Sequence, residues 1–176
     1  MDISRYLAKS GEKVDLTQWP TACDVDIDKK KVKEELLDQT ITEMQDLQEK
    51  LFADNHYGLV IVLQAMDAAG KDGTVKHVFA RLNPAGVKVQ SFKKPSSEEL
   101  DHDYMWRINK ALPGRGEIGI FNRSHYEEVV VARIHNLIKS DGMPEELVRK
   151  DIWESRYRQI RDWERYLSEN GFPMVK

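Results

Sequence analysis

Between residues 29 and 54 the apolar positions Val32, Leu36, Leu37, Ile41, Met44, Leu47 and Leu51 recur at helical spacing, with charged and amide side chains between them. That period predicts an amphipathic helix from Lys29 to about Asp54, packed on the domain or offered to a second copy of the chain. After Tyr57-Gly58 the pattern changes. Leu59-Val-Ile-Val-Leu63 is continuous, short and β-branched, which predicts a strand covered on both faces in the middle of a parallel sheet. A helix is predicted from Gly70 to about Leu82, closed by the Asn83-Pro-Ala-Gly86 turn, and a second strand from Gly86 to Phe92. Ser96 with Glu99 spells a capping box for a helix from about Ser97 to Ala111. Glu117 to Asn122 reads as a third strand. Ser124 with Glu127 spells another capping box, opening a helix from Tyr126 to about Ile138 and leaving Glu128 free. From Glu145 to Glu169, Trp153, Tyr157, Ile160, Trp163 and Leu167 fall in rough helical register, while Arg158, Arg161 and Arg165 share another face. Phe172 to Lys176 begins like a further strand that the chain does not complete.

Strands alternating with helices predict an α/β fold with a parallel sheet. The alternation starts at residue 58. Residues 1–57 are therefore expected to form an arm, extended over Met1 to Asp28, plus the amphipathic helix, and residues 58–176 the core, with lid helices at about 140–170.

The chemistry concentrates where the first strand passes into its helix, at Ala65-Met-Asp-Ala-Ala-Gly-Lys-Asp-Gly-Thr74. Gly70 permits close backbone approach, Lys71 supplies a cation, and the backbone N–H groups of Ala68, Ala69, Gly70, Asp72, Gly73 and Thr74 suit a phosphate. A nucleotide-binding loop reads G-x-x-x-x-G-K-[ST]. Here Ala65 stands at its first glycine and Asp72 at its magnesium-binding hydroxyl. Asp67 inside the loop repels phosphate unless a hard cation such as Mg²⁺ lies between them, so the loop is expected to carry a metal ligand. Lys93 and Lys94 follow the second strand, at the edge where open α/β sheets bind ligands. The third strand ends at Asn122, where a second metal carboxylate would be expected. An amide brings no charge but can accept a hydrogen bond from a metal-bound water. Arg123 follows, positioned for a planar cation to meet a transferring phosphoryl group. Asp101-His102-Asp103 diverge on a helix and read as solvent-facing.

Composition narrows the partners. The 176 residues are 40% hydrophobic with a net charge of −3, enough for one domain with a core. The cation excess falls in residues 58–139 while residues 1–57 are acidic, which favours a local anionic ligand over nucleic acid. Cys23 is the sole cysteine, and neither a leader-like segment nor a run of transmembrane length is evident. A soluble cytoplasmic protein with no membrane partner is expected.

Ala65 to Val78, Ser91-Phe-Lys-Lys-Pro95, His102-Asp-Tyr-Met-Trp-Arg107, Phe121-Asn-Arg-Ser-His-Tyr-Glu-Glu128 and Arg156 to Gly171, in that order, resemble polyphosphate kinase family 2. The resemblance implies a P-loop kinase-like three-layer α/β/α sandwich with a helical lid. It implies Mg²⁺-dependent transfer of phosphoryl groups between inorganic polyphosphate and ADP or AMP, or GDP or GMP, in a homo-oligomer. By position, Asp67 would hold magnesium, Lys71 the phosphate chain and Arg123 the charge in transfer. Lys76, Lys93, Lys94 and Arg107 would line an anionic channel beneath Arg158 and Arg161. The family includes branches with Asn at position 122, which use AMP as well as ADP. Its chains also continue past a Gly-Phe-Pro segment, so this one resembles a version shortened at its C-terminus. An ATP-dependent nucleoside monophosphate kinase and a non-catalytic phosphate-binding module are the alternatives.

Overall fold

In a computed structural model, residues 4–9, 11–19, 36–140 and 142–176 are described. The described part of the N-terminal segment holds two 3-10 turns, Ser4–Tyr6 and Leu16–Gln18, in place of a uniformly extended arm. Asp15 caps the second by accepting from Thr17 N at 3.0 Å. The remainder of the expected arm and the first turns of the expected amphipathic helix lie outside the described residues. That helix, α1, is Leu37–Asp54. It packs on the domain through buried Ile41 and Gln48. The Gln48 amide donates to Asn83 O and accepts from Asn83 N, each at 2.8 Å.

Next come β1 (Leu59–Leu63), α2 (Lys71–Thr74), β2 (Val87–Ser91), α3 (Ser97–Leu100), α4 (Trp106–Lys110), β3 (Ile118–Asn122), α5 (Val131–Ile134), α6 (Ile152–Glu169) and β4 (Met174–Val175). The four strands form one parallel sheet in the order β2-β3-β1-β4. Phe172 to Lys176, read as the start of a strand, thus supplies β4 beside β1. The interior strand β3 is buried at all five residues, while β2 lies at the edge and is largely exposed.

Period-two alternation divides the sheet's side chains between two cores. Val60, Val62 and Phe121 pack with Phe92, Met105 and Ile108, joined by Trp163 of α6. Ile118 and Ile120 pack on the other face with Leu82, Val75 and Phe79, joined by Met44 and Leu51 of α1. Helices therefore cover both faces, giving the three-layer sandwich.

Four helix expectations need correction. The helix after β1 is α-helical only over α2 and continues as a π-turn over Val75–Phe79; Gly73 and β-branched Val75 weaken regular α geometry there. The expected 97–111 helix is two helices. The capping box does form, with Ser96 N donating to Glu99 Oε2 at 2.7 Å. Asp103 then starts a new helix, its carboxylate accepting from Met105 N at 2.9 Å and its carbonyl from Trp106 N at 3.0 Å. Residues 125–140 form a 3-10 turn, α5 and a second 3-10 turn, because Val129-Val-Val131 is a β-branched run and Val129 leaves helical geometry. The lid helix begins at Ile152, after a separate turn at Glu145–Leu147 from which Val148 departs with ψ 71°.

Candidate active site

Register aligns the tips of three strands. Leu63, Asn122 and Ser91 lie side by side, so the segments that follow them leave from one edge of the sheet. There they enclose a cleft of about 740 Å³, lined by Asp67, Ala68, Gly70, Lys71, Asp72, Gly73, Lys93, Lys94, Arg107, Asn122 and Arg123, together with Glu127 and Glu128. Lys76, Arg158 and Arg161 are exposed and do not line it.

The loop turns through two left-handed residues, Gly70 at φ 93° and Ala68 at φ 62°. Only the second is strained, by about 1 kcal/mol. Lys71 Nζ donates to the carbonyls of Ala65 and Met66, each at 2.8 Å, which leaves one of its three donors for a ligand.

Arg123 is a second strained residue, at φ 65°, with its N–H tied to Leu63 O at 3.0 Å. Its guanidinium bridges Asp67 and Glu127, the latter at 3.3 Å. The loop and the β3 tip are thereby clamped together. Glu127 does not complete the expected capping box. Ser124 Oγ accepts from Tyr126 N at 3.1 Å, but the Glu127 carboxylate instead accepts from Arg123 and from Gln64 Nε2 at 2.6 Å. Glu128 is not free either, since Arg107 Nη2 lies 3.4 Å from its Oε1 with both side chains nearly buried. Arg107 Nη1 also donates to Lys93 O at 2.7 Å, fixing the segment that presents Lys93 and Lys94.

Asn122 lies at the β3 tip, 8% exposed, and donates its amide to Asp72 Oδ1. The loop helix and the strand tip are joined there by an acid–amide pair that sequence spacing does not reveal. A second cavity, of about 540 Å³, adjoins the cleft across Pro95, Arg107 and Glu128. Arg156 is buried at its wall, with Cζ 3.7 Å from the centre of the Tyr104 ring. Burial raises the Tyr104 phenol above its usual pKa, against the opposing pull of Arg156. The helix α6, expected as a lid, thus turns Arg156 inward, leaves Arg158 and Arg161 in solvent and places no residue in the lining of the cleft.

Behind the β3 tip, Glu164 of α6 accepts from His125 Nε2 at 3.2 Å, Tyr126 Oη at 2.6 Å and Lys176 Nζ at 2.7 Å. Burial alone would raise its pKa. The hydrogen bonds prevail and hold it at about 2. His125 is fully buried in this network, and neither it nor His77 lines the cleft.

The match to the family model described as Polyphosphate kinase 2 (PPK2) covers residues 26–176. The chain belongs to the polyphosphate kinase 2 family. It is 47% identical over 174 residues to an ADP-polyphosphate phosphotransferase of Rhodopseudomonas palustris, a match covering 98% of this chain and 60% of that protein. An AMP/ADP-polyphosphate phosphotransferase of Meiothermus ruber is 45% identical over 133 residues, covering 76% of this chain and 46% of that one. The crystal structure of Polyphosphate Kinase 2 from Arthrobacter aurescens TC1 superposes with a TM-score of 0.77 at 37% identity, over 96% of this chain and 57% of that chain. This polyphosphate kinase 2 chain therefore spans about half the length of the curated relatives it matches. Among the described residues no helix is long and apolar enough to cross a membrane.

Proposed function

We propose that this chain transfers phosphoryl groups between inorganic polyphosphate and nucleoside mono- or diphosphates, ADP and AMP foremost, with Mg²⁺ as the metal. The observation that carries the reading is the convergence of Lys71, Lys93, Lys94, Arg107 and Arg123 on one cleft at the carboxyl edge of a parallel sheet. The names of the Rhodopseudomonas and Meiothermus relatives support the substrate classes. In the proposed direct transfer, a nucleotide phosphate oxygen attacks the terminal phosphoryl of polyphosphate in line, and the bridging P–O bond opposite it breaks, releasing polyphosphate shortened by one unit. Lys93, Lys94 and Arg107 hold the phosphate chain, Lys71 keeps the loop in shape and gives its remaining donor to the reacting phosphate, and Arg123 neutralises charge as it spreads over the transferred group. Asp67, with Asn122 reaching through a water, offers the hard oxygen donors that magnesium prefers. Held there, magnesium would supply the positive charge that offsets the negative charge of the phosphates.

The test is incubation of the chain with polyphosphate, Mg²⁺ and either ADP or AMP, with nucleotides separated by chromatography. Polyphosphate-dependent ATP from ADP is expected, at least about 100-fold reduced in Lys71→Ala. Product that needs ATP and ignores polyphosphate would replace this reading with a nucleoside monophosphate kinase, and no product at all with a phosphate-binding module.

A further inference from the structure

Four carboxylates line the cleft, and three of them have a cationic partner. Asp67 and Glu127 share Arg123, and Glu128 pairs with Arg107. Asp72 has no cationic partner among the described residues. Its side chain meets the neutral amide of Asn122, which donates to Oδ1. A carboxylate facing a phosphate site without a cation repels the ligand, unless a hard ion lies between them. Asp72 is exposed, and Asn122, nearly buried at the end of the interior strand, holds its carboxylate at the β3 tip by donating a hydrogen bond to it. Because the amide nitrogen donates, the amide oxygen stays available as a neutral oxygen donor beside the carboxylate.

The positions of the pair give this contact its meaning. Asp72 stands where the common nucleotide-binding loop carries a metal-binding hydroxyl, and Asn122 stands at the strand tip where a metal-binding acid would be expected. The neutral and acidic groups have exchanged sides of the cleft, and the hydrogen bond between them shows that the two sides meet. We propose that Asp72, held by Asn122, is a ligand of the catalytic divalent cation, so that the loop supplies both metal carboxylates, Asp67 and Asp72. The proposal rests on the metal-dependent transfer described above.

Binding of Mn²⁺ alone, followed by electron paramagnetic resonance of the free ion, tests this on the full chain without turnover. Asp72→Asn is expected to weaken Mn²⁺ binding by about tenfold or more. The double exchange Asp72→Asn with Asn122→Asp, which returns the acid from the strand side, is expected to recover most of the loss. Circular dichroism establishes that each variant is folded. Unchanged Mn²⁺ affinity in Asp72→Asn, failure of the double exchange to recover it, or no Mn²⁺ binding by the wild-type chain would overturn the assignment. ATP formation from polyphosphate and ADP is measured on the wild type in parallel. Turnover together with unaltered Mn²⁺ binding in Asp72→Asn would sink the metal ligand and leave the transfer reaction standing; the reverse pattern would do the opposite.

Discussion

Replacing Glu164 by Gln removes the one charge on which His125, Tyr126 and Lys176 converge, while keeping the side chain's shape and one acceptor oxygen. The carboxyl is held at about 2 in the folded chain against 4.5 as its ordinary value. Taken in full, that separation corresponds to about 3.4 kcal/mol. Glu164 is 14% exposed and Lys176 is 47% exposed, so solvent screening reduces the contribution to about 1.5–2 kcal/mol. The folded-state pKa is depressed, so this stability is complete above pH 4.5 and is lost as the pH falls toward 2. By pH 3.5 about two fifths of it is gone. Urea unfolding reports this directly, with tryptophan fluorescence as the signal, because Trp163 packs edge-on against His125 with ring centres 5.0 Å apart. Glu164→Gln should lower the unfolding free energy by about 1.5–2 kcal/mol at pH 7, and the gap to wild type should narrow at pH 3.5. A loss below about 0.5 kcal/mol at pH 7, or a gap that does not change with pH, would refute the reasoning.

Arg123→Lys should lower kcat by about 100-fold or more, with a smaller change in KM, because an ammonium cannot span Asp67 and Glu127 and still present a planar donor face; steady-state kinetics with polyphosphate and ADP would show it. Ile120→Ala should cost about 2–5 kcal/mol in urea unfolding, since Ile120 is fully buried between β3 and the helices of one face and the vacated volume has little freedom to collapse.

The sheet and the turn of the loop after β1 were legible in the sequence because both depend on local pattern. A β-branched run between breaker residues makes Leu59–Leu63 a strand, and Gly70 takes the left-handed conformation that turns the chain out of it. Strand-to-helix alternation likewise made the parallel sheet predictable, and with it the edge on which Lys93, Lys94 and Arg123 emerge. Spacing was a weaker guide to long helices. Periodicity persists through Asp103 and Val129, where a side-chain hydrogen bond and a β-branched run interrupt the backbone ladder.

Pairing between distant segments was decided by the tertiary structure. Glu128 looked free until α4 brought Arg107 to it, and Glu127 looked like a capping residue until Arg123 and Gln64 claimed it. The helix α6 shows the same division. Its period placed Arg158 and Arg161 on one face, yet packing against Tyr104 turned Arg156 inward and left those two in solvent. Asp72 and Asn122 are fifty positions apart and meet only because strand register sets the tip of β3 beside the loop after β1. A side chain's propensity acts over a few residues and is written in its neighbours. Its charge partner is fixed by which elements pack together, and that information exists only once the chain has folded.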